Sequence, residues 1–336
     1  MARVGEGGET YEWREDWADL PAPGEATTGW AHHGLAVTRS GEIVGFHPAR
    51  SEVVIFDQRG RAVRSFAVPL TEGHGITLVE EDGEEYLWIA DPGGKARRVG
   101  SGAYEVDPQP GQVVKFGLDG TQVARLARPP HPAYDKGRYA PTSVTVDDEG
   151  HGGTGDIWVG DGYGESLVHR FRPDGTYVSS LSGEEGAGRF DCPHGVFIDR
   201  RHAVPELWVA DRGNGRAQVY GLDGSFRRVV GEAFLNSPSA FATSGDKLVI
   251  AELFARLAVL GPDDELLCYL GDNGAVCDHP GWPNGLDEVA HPVRTAQLRD
   301  GRFNSPHGLT VDAEGNIYVA EWLIGGRMIK LVPVLS

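Results

Sequence analysis

The sequence predicts an all-β fold, a six-bladed β-propeller of four-stranded antiparallel blades, and three observations predict it. One short phrase recurs six times: His33-Gly-Leu-Ala-Val, His74-Gly-Ile-Thr-Leu, Thr142-Ser-Val-Thr-Val, His194-Gly-Val-Phe-Ile, Ser239-Ala-Phe-Ala and His307-Gly-Leu-Thr-Val. After a polar turn a second apolar run follows: Leu87-Trp-Ile-Ala-Asp91, Ile157-Trp-Val-Gly-Asp161, Leu207-Trp-Val-Ala-Asp211, Leu248-Val-Ile-Ala-Glu252 and Ile317-Tyr-Val-Ala-Glu321, with blade one departing as Ile43-Val-Gly-Phe-His47. The chain of 336 residues also carries 48 Gly and 21 Pro, the composition of a chain that turns sharply and often. Units of this length cannot bury a core alone, so they must stack on their neighbours.

The fourth unit shows the grammar of a blade. Pro193 to Asp199 reads as the first strand, Glu206 to Asp211 as the second, Arg216 to Tyr220 as the third and Ser225 to Val230 as the fourth, with Asp223-Gly224 as the last hairpin turn. The six anchors are separated by 41, 68, 52, 45 and 68 residues. The longer intervals hold insertions at 92–111, 129–139 and 272–302, and loops of that length in a repeat protein tend to be functional. The last unit, through Met328-Ile-Lys-Leu-Val, stops one strand short. The run Thr10-Tyr-Glu-Trp-Arg-Glu-Asp-Trp17 is expected to supply that strand and protect an edge that would otherwise pair with another chain. The expected organisation is an N-terminal segment, 1–32, and one propeller domain, 33–336.

Composition removes several classes of function. No apolar run approaches the roughly 20 residues of a membrane span, and the start, Met1-Ala-Arg-Val-Gly-Glu, lacks the apolar stretch of a signal peptide. A soluble, cytoplasmic protein with no membrane partner is expected. The formal charge of −18 opposes phosphate backbones, which argues against nucleic acid. Three cysteines make no disulfide framework; Cys268 and Cys277 bracket a loop but are expected to stay free in a reducing compartment.

The first strand of a propeller blade lies innermost, so the register positions of different blades are expected to converge. His33, His74, His194 and His307 share that register, with Thr142 and Ser239 in the other two places. A single such histidine reads as a local hydrogen-bonding group. Four in one register favour a divalent metal, because neutral imidazoles on separate rigid strands are good ligands. The second-strand acids Asp91, Asp161, Asp211, Glu252 and Glu321 read instead as structural, bonding turn amides throughout the repeat.

Two stretches go beyond repeat grammar. Gly188-Arg-Phe-Asp-Cys-Pro-His-Gly195, echoed by Gly301-Arg-Phe-Asn-Ser-Pro-His-Gly308, resembles the NHL-repeat signature. The segments Val159-Gly-Asp-Gly-Tyr163 and Val209-Ala-Asp-Arg212-Gly-Asn-Gly-Arg216 are similar to blades of the peptidyl-α-hydroxyglycine α-amidating lyases. That resemblance implies a three-histidine zinc site at His74, His194 and His307, an active-site tyrosine at Tyr163 and substrate-binding arginines at Arg212 and Arg50. It implies the splitting of a carbinolamide, a small-molecule substrate here, into an amide and glyoxylate. The family's structural calcium depends on an acidic residue after the third histidine, and Gly308 stands there. Ser305 and Gly164 replace an expected methionine and cysteine. His33 is an additional imidazole that would also suit iron or copper, and so redox or hydrolytic chemistry. A non-catalytic protein-binding platform, with Trp282 and Trp322 on its surface, is the remaining alternative, although either tryptophan would equally suit the lining of a substrate pocket.

Overall fold

The computed structural model describes residues 2–15, 17–100 and 102–334. Among the described residues five sheets of four antiparallel strands and one of five follow one another, giving a six-bladed β-propeller. Blade four contains Pro193–Asp199, Glu206–Asp211, Arg216–Gly221 and Phe226–Val230, within a residue of the boundaries read from sequence. The second strands are buried along most of their length, wholly at Ile157–Asp161 and from Leu207 onward in Glu206–Asp211. A strand covered on both faces carries a continuous apolar run rather than an alternating one, which explains the Leu-Trp-Val-Ala signature. Fourth strands such as Ala62–Ala67 are largely exposed.

In blades two, three and four the hairpins between third and fourth strands obey one rule. Gly120, Gly175 and Gly224 take φ of 86°, 82° and 88°, and the preceding Asp119, Asp174 and Asp223 each accept the amide two residues on. A left-handed glycine behind an aspartate closes such turns at little cost.

By contact the chain divides into two compact units, residues 1–69, 94–108 and 242–336, and residues 70–93 and 109–241. The second holds blades two, three and four. Its core joins Trp88, Val113 and Ile157 with Val144 and Phe171, and continues through Trp158, Val196, Leu207 and Tyr220. The first unit holds blades one and six and most of blade five; Leu35, Ile43 and Phe56 of blade one pack there with Tyr318 and Met328 of blade six. Its insertions form two small hairpins, Ala96–Arg98 with Tyr104–Val106 and Gly285–Leu286 with Pro292–Val293.

Blade six is completed by the N-terminal strand. Tyr11–Arg14 pairs with Arg327–Pro333, Trp13 opposite Leu331, and Arg3–Val4 adds a fifth strand. Trp13 is 1% exposed and packs 4.7 Å from Phe303. Arg327 clamps the junction, donating to both oxygens of Glu15 and to Glu321. Asp16, part of the segment expected to close the blade, lies outside the described residues. No helix among the described residues is long and apolar enough to cross a membrane.

Candidate metal centre

The His-Gly dipeptide has a steric origin. A Cβ at Gly75 would meet the Thr142 carbonyl oxygen at 2.6 Å, one at Gly195 the Ser239 carbonyl at 2.6 Å and one at Gly308 the His33 carbonyl at 2.4 Å. Only glycine lets the neighbouring blade's register residue come so near. The preceding histidine then donates to the same carbonyl through Nδ1: His74 to Thr142 at 2.6 Å, His194 to Ser239 at 2.8 Å and His307 to His33 at 3.4 Å. A carbonyl only accepts, so each Nδ1 carries the proton and each Nε2 keeps its lone pair. Backbone carbonyls that fix the tautomer in this way are a common support for metal-binding imidazoles.

The second-strand acids hold the segments that present these rings. Asp91 accepts from the amides of Thr71 and Glu72, three and two residues before His74. Asp211 does the same with Asp191 before His194, and Glu321 with Asn304 and Ser305 before His307. In blade three Asp161 accepts from Ala140, ahead of Thr142. Glu252 is bonded by Arg256. The structural reading of these acids thus acquires a specific task, fixing the strand that carries the register residue.

Blade one breaks the register. The His33 ring is buried, with Nδ1 2.9 Å from the carbonyl of Gly34 rather than of another blade, and burial drops its pKa to about 4. The first strand there is only Ala36–Val37, and the segment before it is held by Ala31 bonding to Leu323, so the preceding residue takes the place assigned to His33. Within the first unit the His32 ring centroid lies 4.4 Å from that of His307, and within the second those of His74 and His194 are 4.8 Å apart; these four are the histidines that could hold a metal ion. His32 was missed by counting from the His-Gly pairs; the His32-His33 doublet was its only signal.

Tyr163, in the turn after the second strand of blade three, places its hydroxyl 3.1 Å from His194 Nε2 and 3.4 Å from His74 Nε2. Arg212, in the corresponding turn of blade four but one position nearer its acid, donates to that hydroxyl at 3.3 Å and lies over the ring at 5.3 Å. Burial raises the Tyr163 pKa, against the opposing pull of the Arg212 charge. Arg50 is placed otherwise. Its guanidinium is partly exposed and paired with Glu25 at 2.6 Å and Glu52 at 3.4 Å.

The departures from the lyase pattern also have physical counterparts. Gly308 cannot carry an acidic side chain against the His33 backbone, so the residues present do not fit the family's calcium ligand. A Cβ at Gly164 would meet the Asp161 carboxylate at 2.2 Å, leaving no room for cysteine. Ser305 donates instead to the carbonyl of Trp322 at 2.7 Å.

No family model matches the chain. It is 31% identical over 301 residues to NHL repeat-containing protein 3 of Mus musculus, covering 84% of this chain and 73% of that protein. It is 26% identical over 337 residues to peptidyl-alpha-hydroxyglycine alpha-amidating lyase 1 of Drosophila melanogaster, covering 93% of this chain and 58% of that protein. A solved streptogramin B lyase shares the fold at a TM-score of 0.57 and 14% identity, over 97% of this chain and 99% of the other. With its six repeats, its His-Gly register and a relative of this identity and coverage, the chain belongs to the NHL repeat-containing protein 3 family.

Proposed function

We propose that this protein is a metal-dependent lyase acting on an α-hydroxylated amide or related carbinol. One observation carries the reading: the Tyr163 hydroxyl sits between two imidazole Nε2 atoms and the Arg212 guanidinium. His74, His194 and His307, with His32, would hold a divalent ion, zinc in the first instance, which when bound supplies Lewis acidity toward a substrate oxygen. The chain's own groups do the rest. Arg212 is suited to pair with a substrate carboxylate in a two-pronged contact. Tyr163, its pKa raised by burial, keeps its proton at neutral pH and gives it to the amide nitrogen as the C–N bond breaks. The carbinol O–H proton replaces it, the carbinol carbon becomes an aldehyde, and no water or oxidant is consumed. Similarity to the amidating lyases supports this reading.

Elemental analysis of wild type and His194→Ala tests the metal, which should be near-stoichiometric in the first and lost in the second. Tyr163→Phe should keep the metal and lose about 10²–10⁴ in kcat on N-benzoyl-α-hydroxyglycine. Full metal loading without any turnover of that compound would sink the lyase reading. A second reading rests on the number of imidazoles: four can saturate a tetrahedral ion, as in a structural or redox site. His32→Ala separates the two, since a structural site needs the fourth ligand and a lyase site needs three and an open position.

A further inference from the structure

His32 lies at the end of an aromatic wall that the proposed chemistry does not use. Its ring centroid is 4.4 Å from that of His307 and 5.6 Å from that of Trp322. From Trp322 the contacts run to Trp30 at 5.7 Å and Trp282 at 5.9 Å, then from Trp282 to Phe254 at 5.6 Å and from Trp30 to Tyr104 at 6.0 Å. Five separate segments supply these rings, and two of them are the insertions at 92–111 and 272–302 that lengthen the repeat.

Two of these rings are tied to backbone by their polar tips. Trp282 Nε1 donates to the Asn304 carbonyl at 3.0 Å and the Tyr104 hydroxyl to the Thr27 carbonyl at 2.7 Å, so these rings are held by protein backbone. The same chain buries Trp13, Trp158 and Trp208 almost completely, at 1%, 0% and 0% exposure. Trp30, Trp282 and Trp322 are only partly buried, and Phe254 is 41% exposed. A run of rings left partly open to water, beside two histidines of the metal cluster, is the pattern of a binding surface rather than of a core.

We infer that Trp322, Trp282, Trp30 and Phe254 form an apolar subsite for a hydrophobic group, planar or aliphatic, on the acyl side of the substrate. The substrate class is then an N-acylated α-hydroxy compound with an apolar acyl group rather than a small polar one. This rests on the lyase reading for what lies at the histidines, but the subsite can be tested without turnover.

N-benzoylglycine and N-acetylglycine share the amide and the carboxylate and differ by phenyl against methyl. Calorimetric titration should show the benzoyl compound binding metal-loaded wild type about tenfold more tightly or better, the worth of burying a phenyl group. Trp322→Leu and Phe254→Ala should each shrink that ratio, to about threefold for Trp322→Leu, with metal content unchanged. Phe254 is exposed, so its replacement reads the subsite even if a tryptophan variant folds poorly. Equal binding of the two compounds, binding of neither, or a ratio untouched by both variants overturns the subsite. Choline binding as tightly as N-benzoylglycine overturns its apolar assignment, because the rings would then be serving a cation. A preserved ratio with no turnover of the α-hydroxylated benzoyl compound overturns the lyase reading alone.

Discussion

At the scale of single residues the His-Gly pair is one device, not two neighbours. The glycine admits the next blade's backbone and the histidine bonds the carbonyl thus brought near. Gly195→Ala is expected to destabilise the fold by about 1–3 kcal/mol, the usual cost of overpacking, and to weaken metal binding by about 10–100-fold, as loss of an orienting contact does. Urea unfolding and competition with a metal indicator would read the two effects. Gly8→Ala, where a Cβ meets nothing within 4 Å, is the control. Three of the clustered histidines were legible because the repeat aligns them. His32 was not, since a two-residue strand leaves the register of blade one unfixed. The pairing of Arg50 with Glu25 was hidden as well, because Glu25 lies in a segment without period.

At the scale of elements, blade three shows how an insertion is fastened. Tyr134, in the 129–139 insertion, donates to Asp161 at 2.6 Å and stands 2.6 Å from His169 Nε2, whose other nitrogen meets Ser180 at 2.7 Å. Because the Tyr134 proton goes to the carboxylate, His169 Nε2 donates to the Tyr134 oxygen. Burial lowers the His169 pKa to about 3, with help from His131. The unfolded chain takes up that proton below about pH 6.5 and the folded chain does not. Stability is therefore held above pH 6.5 and falls as the pH drops toward 3, by up to about 1.4 kcal/mol per pH unit from this group. His169→Gln should flatten the dependence of unfolding free energy between pH 7.5 and 5; an unchanged slope would show that His169 is not its source. Strands and turns of this blade were readable from apolar runs and Asp-Gly pairs. This network was not, since its members share no spacing rule and meet only through the fold.

For the whole molecule, six blades were countable in advance, and so was the strand needed to finish the sixth. The aromatic wall was visible only as scattered tryptophans, two of which had been singled out with no way to know that they touch. The closing strand is also the plainest test of the architecture. Deleting residues 2–15 removes Trp13 from its place against Phe303 and Glu15 from Arg327, leaving a buried guanidinium paired only with Glu321. Breaking one partner of a buried ion network costs about 3–5 kcal/mol. The shortened chain is expected to unfold at lower urea and to associate through its bare edge, and a synthetic peptide of residues 2–15 should reverse both changes. Light scattering and unfolding curves recorded with and without the peptide would decide.

That closing pair also sets a schedule for the ribosome. Arg14 is made 316 residues before Lys330, the residue it pairs with. At about 5–20 residues per second of synthesis, the N-terminal strand waits roughly 15–60 s for its partner. Blades two to four, each built from strands close in sequence, can form during that wait. The nascent chain thus carries this strand unpaired until its partner in blade six has been made, an open edge in the meantime.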